Sequence, residues 1–316
     1  MIEKRVTRLA PSPTGALHLG NARTFLINWA MARRAGWRIV MRIEDLDTPR
    51  TKADADQMAM DDLRWLGLDW DGEPRYQLNR LSEYQVHLRS LAGRGLIYPC
   101  RCTRKEIESA QSAPQADEHE LRYPGTCRPR PPEAEPIAYA ADREDVAWRL
   151  RVPDEPIGYA DQLHGEQSVN VQEHVGDFVV ATKKGLPAYQ LAVVVDDALA
   201  GVTEVVRGDD LMRSTPRQLL IYRMLGLGPE PRYYHVPLVL GEDGRRLAKR
   251  HGDTRIGMYR ELGVDPRRLI GLFAEWCGLG PRRPMSAGEF AERFKLHGLP
   301  LTDVVFSTDD DRWLQT

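Results

Sequence analysis

The chain has 316 residues, which is enough for two or three domains around a well-buried core. Its hydrophobic content of 42% and charged content of 28% are ordinary for a soluble enzyme, and no stretch is long and apolar enough for a membrane span. A formal net charge of −2 excludes a globally basic nucleic-acid-binding protein but is compatible with a local basic face. Because the N-terminus carries charges where a signal peptide would be apolar, the sequence predicts a cytoplasmic protein without a membrane partner.

The first 44 residues predict a strand, a loop, a helix and a second strand. Residues 4–10 are typical of a short strand, which ends at the prolines that follow. From residue 21 the apolar residues form a helical stripe, with Gly36 as its stop signal. Residues 37–44 alternate apolar and polar side chains, as a strand does. This order is that of a parallel crossover unit, so the sequence predicts an α/β fold.

The rest of the chain changes character several times. Residues 109–136 are polar and rich in proline, and they predict a loop-dominated insertion with little core of its own. The apolar run LAVVV at 191–195 is short and continuous, and it predicts a buried central strand. The other predictions are helices at 52–66, 81–93 and 213–226, strands at 148–152, 177–181 and 202–210, and an all-helical segment beyond residue 252.

The loop at residues 11–21, PSPTGALHLGN, joins the first strand to the helix. Such a loop aims unpaired backbone N–H groups and the positive end of the helix dipole at one point, which is a common way to hold phosphate. Its prolines stiffen it, Gly15 and Gly20 allow a ligand to approach the backbone, and His18 adds a hydrogen-bond donor. For His18 alone, a surface histidine in a strand-to-helix turn is the alternative interpretation.

A second glycine-flanked loop, residues 241–253, carries four cationic side chains, namely Arg245, Arg246, Lys249 and Arg250. A loop of this kind suits a triphosphate whose charge shifts during a reaction. A solvated basic surface is the alternative interpretation of the cluster alone. Its occurrence together with the first loop favours phosphate binding.

In four blocks the sequence resembles the glutamyl form of the class I aminoacyl-tRNA synthetases, and the blocks occur in the family's order. They are RLAPSPTGALHLGNART (8–24), RIEDLDTPR (42–50), AYQLAVVVDDALAGVTEVVRGDDLMRSTPRQ (188–218) and RLAKR (246–250). Residues 18–21 stand for the family's His-Ile-Gly-His signature, and residues 246–250 stand for Lys-Met-Ser-Lys-Ser. The chain departs from these signatures at Asn21, Ala248 and Arg250, but Lys249 is kept.

The resemblance implies a Rossmann-like parallel sheet with a zinc-bearing insertion and a C-terminal helical segment. The two halves of the catalytic domain would be 1–98 and 189–240. The insertion, which contacts RNA, would be 99–188, and the second-signature loop with the helical region would be 241–316.

The resemblance also implies a reaction in two steps. Glutamate and ATP form glutamyl-adenylate and pyrophosphate, and the glutamyl group then passes to a tRNA. The implied ATP-binding residues are His18, Gly20, Asn21, Arg246 and Lys249. Of these, His18 and Lys249 are expected to contact the triphosphate during catalysis, with Mg²⁺ bridging its oxygens.

Glutamate brings two carboxylates and one ammonium group, and five residues match them. Arg8 and Arg207 each lie at the carboxyl end of a predicted strand, where ligands of open parallel sheets bind, and each suits a carboxylate. Glu44 supplies the counter-charge for the ammonium group, and Ser12 and Tyr189 add hydroxyl groups. The family's glutamate-binding positions match these five residues one by one. For any single one, a surface ion pair or a core tyrosine is the alternative.

Three of the four cysteines lie in the insertion, in the pattern Cys100-x-Cys102 followed by Tyr123-x-x-x-Cys127. Three thiolates in a segment with little core favour a structural zinc site, which needs a fourth ligand. Residue chemistry alone favours His119 as that ligand, whereas related tRNA-modifying enzymes use a tyrosine at the place of Tyr123. The resemblance therefore implies Tyr123. The alternative to zinc is a set of reduced cysteines packed in a small core.

The tRNA acceptor distinguishes two branches of the family. Full glutamyl-tRNA synthetases carry a helical anticodon-binding portion beyond the part that this chain resembles, and the sequence stops at Thr316. The resemblance implies the shorter branch, which loads glutamate onto the queuosine base at the wobble position of tRNA(Asp). The alternatives are a shortened glutamyl-tRNA synthetase that charges the 3′ end of tRNA(Glu), a nucleotidylyltransferase, and an inactive paralogue that binds tRNA or a protein. The protein is expected to be a monomer, with Arg101, Arg104 and Lys105 contributing to RNA contact.

Overall fold

The computed structural model describes residues 4–13, 15–47, 51, 53–109, 121–129, 137–143, 145–245, 247 and 254–316. The strands are β1 (Val6–Leu9), β2 (Arg38–Ile43), β3 (Arg75–Tyr76), β4 (Ile97–Cys100), β5 (Ala147–Leu150), β6 (Pro156–Asp161), β7 (Gly165–Asn170), β8 (Val179–Ala181), β9 (Glu204–Gly208), β10 (Arg232–Val236), β11 (Val239–Leu240) and β12 (Val304–Val305). The helices are α1 (Leu19–Ala35), α2 (Ala55–Trp65), α3 (Leu81–Gly93), α4 (Arg104–Ser109), α5 (Val171–His174), α6 (Tyr189–Ala200), α7 (Thr215–Leu225), α8 (Ile256–Glu261), α9 (Pro266–Trp276), α10 (Ala287–Arg293) and α11 (Thr308–Gln315). Within these ranges, no helix has both the length and the apolar character that crossing a membrane requires.

A parallel sheet forms the centre of the fold. In one half β1 pairs with β2 and β2 with β3, and in the other half β9 pairs with β10 and β10 with β6. The halves meet at β1 and β9, where the Thr203 N–H donates to the Val6 carbonyl oxygen at 2.9 Å. The predicted α/β fold with a parallel sheet is thus confirmed. Strand β6 and its antiparallel partner β7 belong to this sheet, although both lie within the segment 99–188.

Helices cover both faces of the sheet. One apolar core joins α1, α9 and α10 to sheet residues such as Leu9 and Val206. A second core joins α3, α6 and α7 to Val6 and Val205 on the opposite face. Successive strand residues point to opposite faces, so a strand that is covered twice is buried along its whole length, as all four residues of β1 are. Since both faces are covered, a ligand reaches the sheet at the ends of its strands.

The strand predicted at 191–195 is wrong, because these residues lie inside α6. Every residue from 191 to 197 is buried, and α6 packs against α3, α7 and β8. A helix that is buried on all sides needs no polar stripe, so it shows no helical period. The β-branched valines then favour a strand by intrinsic preference, and packing overrides that preference.

The C-terminal part is helical, as predicted, except at one point. Helices α8 to α11 lie beyond residue 252, but Val304–Val305 form the strand β12. This strand pairs in parallel with β11, which immediately precedes the second-signature loop. The prediction of an all-helical segment is therefore wrong at β12, where two residues carry too little pattern to indicate a strand.

The insertion contains a small sheet of its own, in the order β4, β5 and β8. The strands predicted at 148–152 and 177–181 correspond to β5 and β8. Beside this sheet lies a separate small cluster of buried residues, namely Tyr98, Cys100, Ile107 and Tyr123. Strands β5 and β8 pack into the second core, whereas the residues around Cys100 and Tyr123 have only this small cluster. Most of the segment 109–136, predicted to be a loop-dominated insertion, lies outside the described residues.

Candidate active site and metal centre

A cavity of about 150 Å³ opens where β1, β2 and β9 end. The predicted site residues that line it are Arg8, His18, Gly20, Asn21, Glu44, Tyr189 and Arg207. Ser12 lies beside this lining, and its hydroxyl donates to the Glu44 carbonyl oxygen at 3.3 Å. Arg246 and Lys249 fall outside the described residues. The fold therefore brings the first signature and the predicted glutamate-binding side chains to one cleft.

Arg8 is held in place by groups that the sequence analysis did not identify. Its guanidinium is buried, donates to the Val206 carbonyl oxygen at 3.2 Å, and lies 3.5 Å from the carboxylate of Asp197. Burial lowers the pKa of Arg8, and the charge of Asp197 opposes that effect. Asp197 also accepts a hydrogen bond from Arg42, so one buried carboxylate on α6 serves two guanidiniums.

Glu44 follows β2 and faces the same cleft. Its carboxylate lies 3.1 Å from Nη2 of Arg42. Burial raises the pKa of Glu44, and the charges of Arg42 and Arg8 act against that rise. Tyr189, the first residue of α6, also lines the cavity, and desolvation of its phenol there and the charge of Glu44 raise its pKa. A carboxylate and a phenol thus lie beside the two arginines.

Arg207 is buried at the end of β9, and the protein accepts a hydrogen bond from each of its three nitrogens. Its Nε donates to Nε2 of His235 at 3.0 Å, Nη1 to Oε1 of Gln218 at 2.8 Å, and Nη2 to Oγ1 of Thr215 at 2.8 Å. The imidazole in turn lies 2.7 Å from Oδ2 of Asp161. These partners were missed because they come from β6, β10 and α7, and a sequence pattern does not show contacts across such distances.

The N-terminus of α1 faces the cleft through the first signature. His18 precedes the helix without capping it through its side chain, so the first backbone N–H groups lack a side-chain cap. A Cβ atom at Gly20 would lie 3.4 Å from ring atoms of His18, so glycine leaves the imidazole room. The N–H of Leu19 donates to the Thr254 carbonyl oxygen at 3.1 Å. The residues that follow the second loop are thereby joined to the first signature.

The three cysteines of the insertion meet at one point. The sulfur atoms of Cys100, Cys102 and Cys127 all lie within 4.8 Å of one another. The phenol oxygen of Tyr123 lies 3.4 Å from the sulfur of Cys100 and 3.9 Å from that of Cys102. Three thiols and a phenol oxygen in this space match the number and type of donors of a tetrahedral site. His119 lies outside the described residues.

The surroundings of this cluster favour a charge on the sulfur of Cys127, whereas burial raises the pKa of the Cys102 thiol to about 11. The Arg149 guanidinium donates to the sulfur of Cys100 at 3.2 Å and lies 3.8 Å from the centre of the Tyr123 ring. Burial would raise the pKa of Cys127, but hydrogen bonds from the Arg101 backbone and from Tyr123 lower it to about 7. A thiol that ionises near neutrality and a buried cation beside another thiol are features of a metal-binding set.

The class that the motifs indicate is confirmed by comparison with known proteins. A family model described as tRNA synthetases class I (E and Q), catalytic domain, matches residues 4–296. The fold is also similar to that of the glutamate-tRNA synthetase from Elizabethkingia anophelis, with a TM-score of 0.80 and 26% identity over 99% of this chain and 70% of the other. Both comparisons agree with a class I synthetase catalytic domain.

Closer relatives narrow this class further. The chain is 48% identical to a glutamyl-Q tRNA(Asp) synthetase from Rhodopirellula baltica, over 89% of this chain and 87% of that protein. It is 37% identical to a glutamate–tRNA ligase from Geobacter sulfurreducens, over 97% of this chain but 64% of the ligase. The chain therefore belongs to the class I tRNA synthetase family, in the group that contains the glutamyl-Q tRNA(Asp) synthetases.

Proposed function

We propose that this protein activates L-glutamate with ATP and transfers the glutamyl group to the queuosine base at the wobble position of tRNA(Asp). The observation that carries the proposal is the arrangement of two buried guanidiniums and one carboxylate in a cleft at the N-terminus of α1. The close similarity to glutamyl-Q tRNA(Asp) synthetases supports the choice of acceptor.

The charges around the cleft suit glutamate. The guanidiniums of Arg8 and Arg207 are buried beside the cavity, and each can donate hydrogen bonds to a carboxylate. The side-chain amide of glutamine would accept weaker hydrogen bonds there than the side-chain carboxylate of glutamate does. In this proposal Arg8 and Arg207 hold the two carboxylates, Glu44 faces the ammonium group, and Ser12 and Tyr189 contribute hydroxyl groups.

ATP would lie across the N-terminus of α1. We propose that His18, Gly20 and Asn21 contact it there, and that Arg246 and Lys249 reach its phosphates from the second loop. A carboxylate oxygen of glutamate then attacks the α-phosphorus and pyrophosphate leaves. Positioning of the two substrates in line and stabilisation of the phosphate charge supply the acceleration, without a covalent enzyme intermediate. Mg²⁺ that arrives with ATP would neutralise part of that charge.

We propose that Cys100, Cys102, Tyr123 and Cys127 hold a structural zinc ion. The set is closed, with the donor count that a structural site requires, and it lies in a part of the fold with little core. Zinc would link β4, on which Cys100 lies, to the loop that carries Tyr123 and Cys127. The site would thereby stabilise the surface that we expect to contact RNA.

Three finer predictions belong to this proposal. RNA binding should weaken as salt rises, because Arg101, Arg104 and Lys105 displace counterions from phosphates. We also propose that the protein acts as a monomer in the cytoplasm. Finally, we propose the four-part division at 98, 188 and 240, in which β6 and β7 of the segment 99–188 extend the central sheet and the rest of that segment meets the RNA.

The test is the transfer of labelled glutamate to three purified tRNAs: tRNA(Asp) with queuosine, tRNA(Asp) without queuosine, and tRNA(Glu). We expect labelling of the first only. Labelling of tRNA(Glu) would support instead a glutamyl-tRNA synthetase activity, which the similarity to glutamate–tRNA ligases makes the second candidate.

A matched pair of variants tests whether the cleft binds glutamate for this reaction. Arg207→Ala should abolish glutamate-dependent pyrophosphate exchange, whereas Arg223→Ala should leave it unchanged. Arg223 is an exposed arginine of α7 that pairs with Glu230 outside the cavity lining. Near-normal exchange by Arg207→Ala would rule out the proposed role of that residue.

A further inference from the structure

A buried chain of polar groups stands behind Arg207. It runs from Asp161 on β6 through His235 on β10 to Arg207 on β9, which are three neighbouring parallel strands. Asp161 and His235 are buried and neither lines the cavity. We propose that Asp161 and His235 are positioning residues that fix the guanidinium of Arg207 for a substrate carboxylate. This inference rests on the proposed function, in which Arg207 binds glutamate.

The hydrogen bonds define where the protons are. Arginine can only donate, so the Nε–H of Arg207 requires a lone pair on Nε2 of His235. A neutral imidazole then carries its proton on Nδ1, from where it is donated to Oδ2 of Asp161 at 2.7 Å. The carboxylate of Asp161 thus selects the tautomer of His235 that can accept from Arg207.

Asp161 is itself fixed by the turn that follows β6. Its Oδ1 accepts the backbone N–H groups of Leu163 and His164, each at 3.0 Å. Its two oxygens therefore have separate roles, since one is held by the turn and the other faces His235. In the sheet, His235 is the registered partner of Arg207 across β9 and β10, so the backbone fixes the spacing between imidazole and guanidinium.

The remaining bonds of Arg207 explain why its orientation matters. A guanidinium has five N–H donors, of which the bonds to His235, Gln218 and Thr215 use one on each nitrogen. Each terminal nitrogen keeps one further N–H, and the cavity lies beside this end of β9. A carboxylate that accepts both would be bound through two parallel hydrogen bonds, a geometry that tolerates little rotation of the guanidinium.

The sharpest test is Asp161→Asn. The amide oxygen of the new side chain would stay with the two backbone N–H groups, so its NH₂ would face Nδ1 of His235. The imidazole would then carry its proton on Nε2, against the Nε–H of Arg207. We expect the KM for glutamate in pyrophosphate exchange to rise roughly 10- to 100-fold, with the KM for ATP within about twofold, because a hydrogen bond to a charged group is disturbed only on the glutamate side.

A matched control removes a similar buried bond between neighbouring strands of the same sheet. Tyr234 on β10 donates to Oε2 of Glu204 on β9 at 2.8 Å, away from Arg207. Tyr234→Phe should cost stability like any such loss but leave the KM for glutamate within about twofold. An equal rise in both variants would mean that Asp161 has only a structural role, and it would overturn the inference.

A second pair of variants applies even if Asp161→Asn does not fold. His235→Gln keeps a side-chain oxygen that can accept from Arg207, whereas His235→Leu has similar bulk and no acceptor. We expect the KM for glutamate to be at least about fivefold lower in His235→Gln than in His235→Leu. Equal KM values in this pair would overturn the inference while wild-type exchange still supports the proposed function. Absence of glutamate-dependent exchange in the wild-type protein would overturn both.

Discussion

The cleft and the cysteine cluster are built in opposite ways. In the cleft, the charged side chains lie on strands of a sheet that is buried on both faces, and protein groups fix each guanidinium. In the insertion, Cys102 and Cys127 lie on loops, and their sulfur atoms, 3.5 Å apart, mainly contact each other and the phenol of Tyr123. The first site is held by hydrogen bonds and ion pairs within the protein, whereas the second would be completed by the zinc ion that we propose.

This difference teaches where the stability of each site comes from. A preformed cleft on a packed sheet keeps its geometry through apolar burial and internal ion pairs, so it needs no ligand to exist. A cluster with little core would gain its folding free energy from the metal that we propose there. Loss of a metal ligand should therefore destabilise the cysteine cluster. Loss of an internal charge should destabilise the cleft.

The largest effect should follow the loss of a zinc ligand. We expect Cys100→Ser to lower bound zinc from about one equivalent to well under half, because a structural site contributes on the order of 10 kcal/mol to the fold around it. Residues 97–128 should then exchange amide hydrogens faster, while the KM for glutamate changes little. Cys277→Ser is the control, since Cys277 is buried away from the cluster. Retention of a full equivalent of zinc by Cys100→Ser would contradict the proposal that Cys100 is a zinc ligand.

An intermediate effect should follow the loss of one internal charge in the cleft. Asp197→Asn leaves the guanidiniums of Arg8 and Arg42 buried with less compensation, so we expect the free energy of unfolding to fall by about 3–5 kcal/mol. Urea titration measures this. Asp69→Asn, at an exposed ion pair with Arg33, should cost about 1 kcal/mol or less. Equal losses in the two variants would contradict a cleft that depends on internal charge balance.

The smallest effect concerns pH. Burial, aided by the charge of Arg207, lowers the pKa of His235 below its usual value near 6.5, although the hydrogen bond to Asp161 acts against that shift. The imidazole therefore takes up its second proton at a lower pH than a free histidine does, and until then Nε2 accepts from Arg207. The midpoint of any rise in the KM for glutamate on acidification should therefore lie below pH 6.5. A rise that follows protonation near pH 6.5 would show that the site is not insulated in this way.

The sequence predicted the lining of the cleft better than the groups behind it. Arg8, Glu44 and Arg207 could be found because each lies at or just beyond the end of a strand pattern, and parallel strands place such ends together. Asp197 and Asp161 could not be found in this way, since their partners Arg42 and His235 lie 155 and 74 residues away. A charge inside an apolar run, as in AVVVDDALAG, was the available signal for Asp197.

Secondary structure was predicted correctly for a helix with one face in solvent. The prediction failed for a helix with no face in solvent. Helix α1 showed its stripe and its stop at Gly36, which has the left-handed φ of 68°. Helix α6 is buried on all sides, so its valines suggested a strand. Gly201, left-handed at φ 67°, was the remaining clue that a helix ends there.

The short pairing of β11 with β12 connects the C-terminal residues around 304 to the cleft. Val239 of β11 lines the cleft, and Asp303 and Glu242 tie this strand to the segment around β12 through the Leu238 and Thr308 N–H groups at 2.8 and 3.4 Å. On its other side the second loop returns at Thr254, bonded to Leu19. The described residues on both sides of the second loop, Val239 and Thr254, therefore lie next to the cleft or the first signature. Substitutions near residue 304 should thus change the rate of ATP-dependent pyrophosphate exchange, although almost three hundred residues separate them from the first signature.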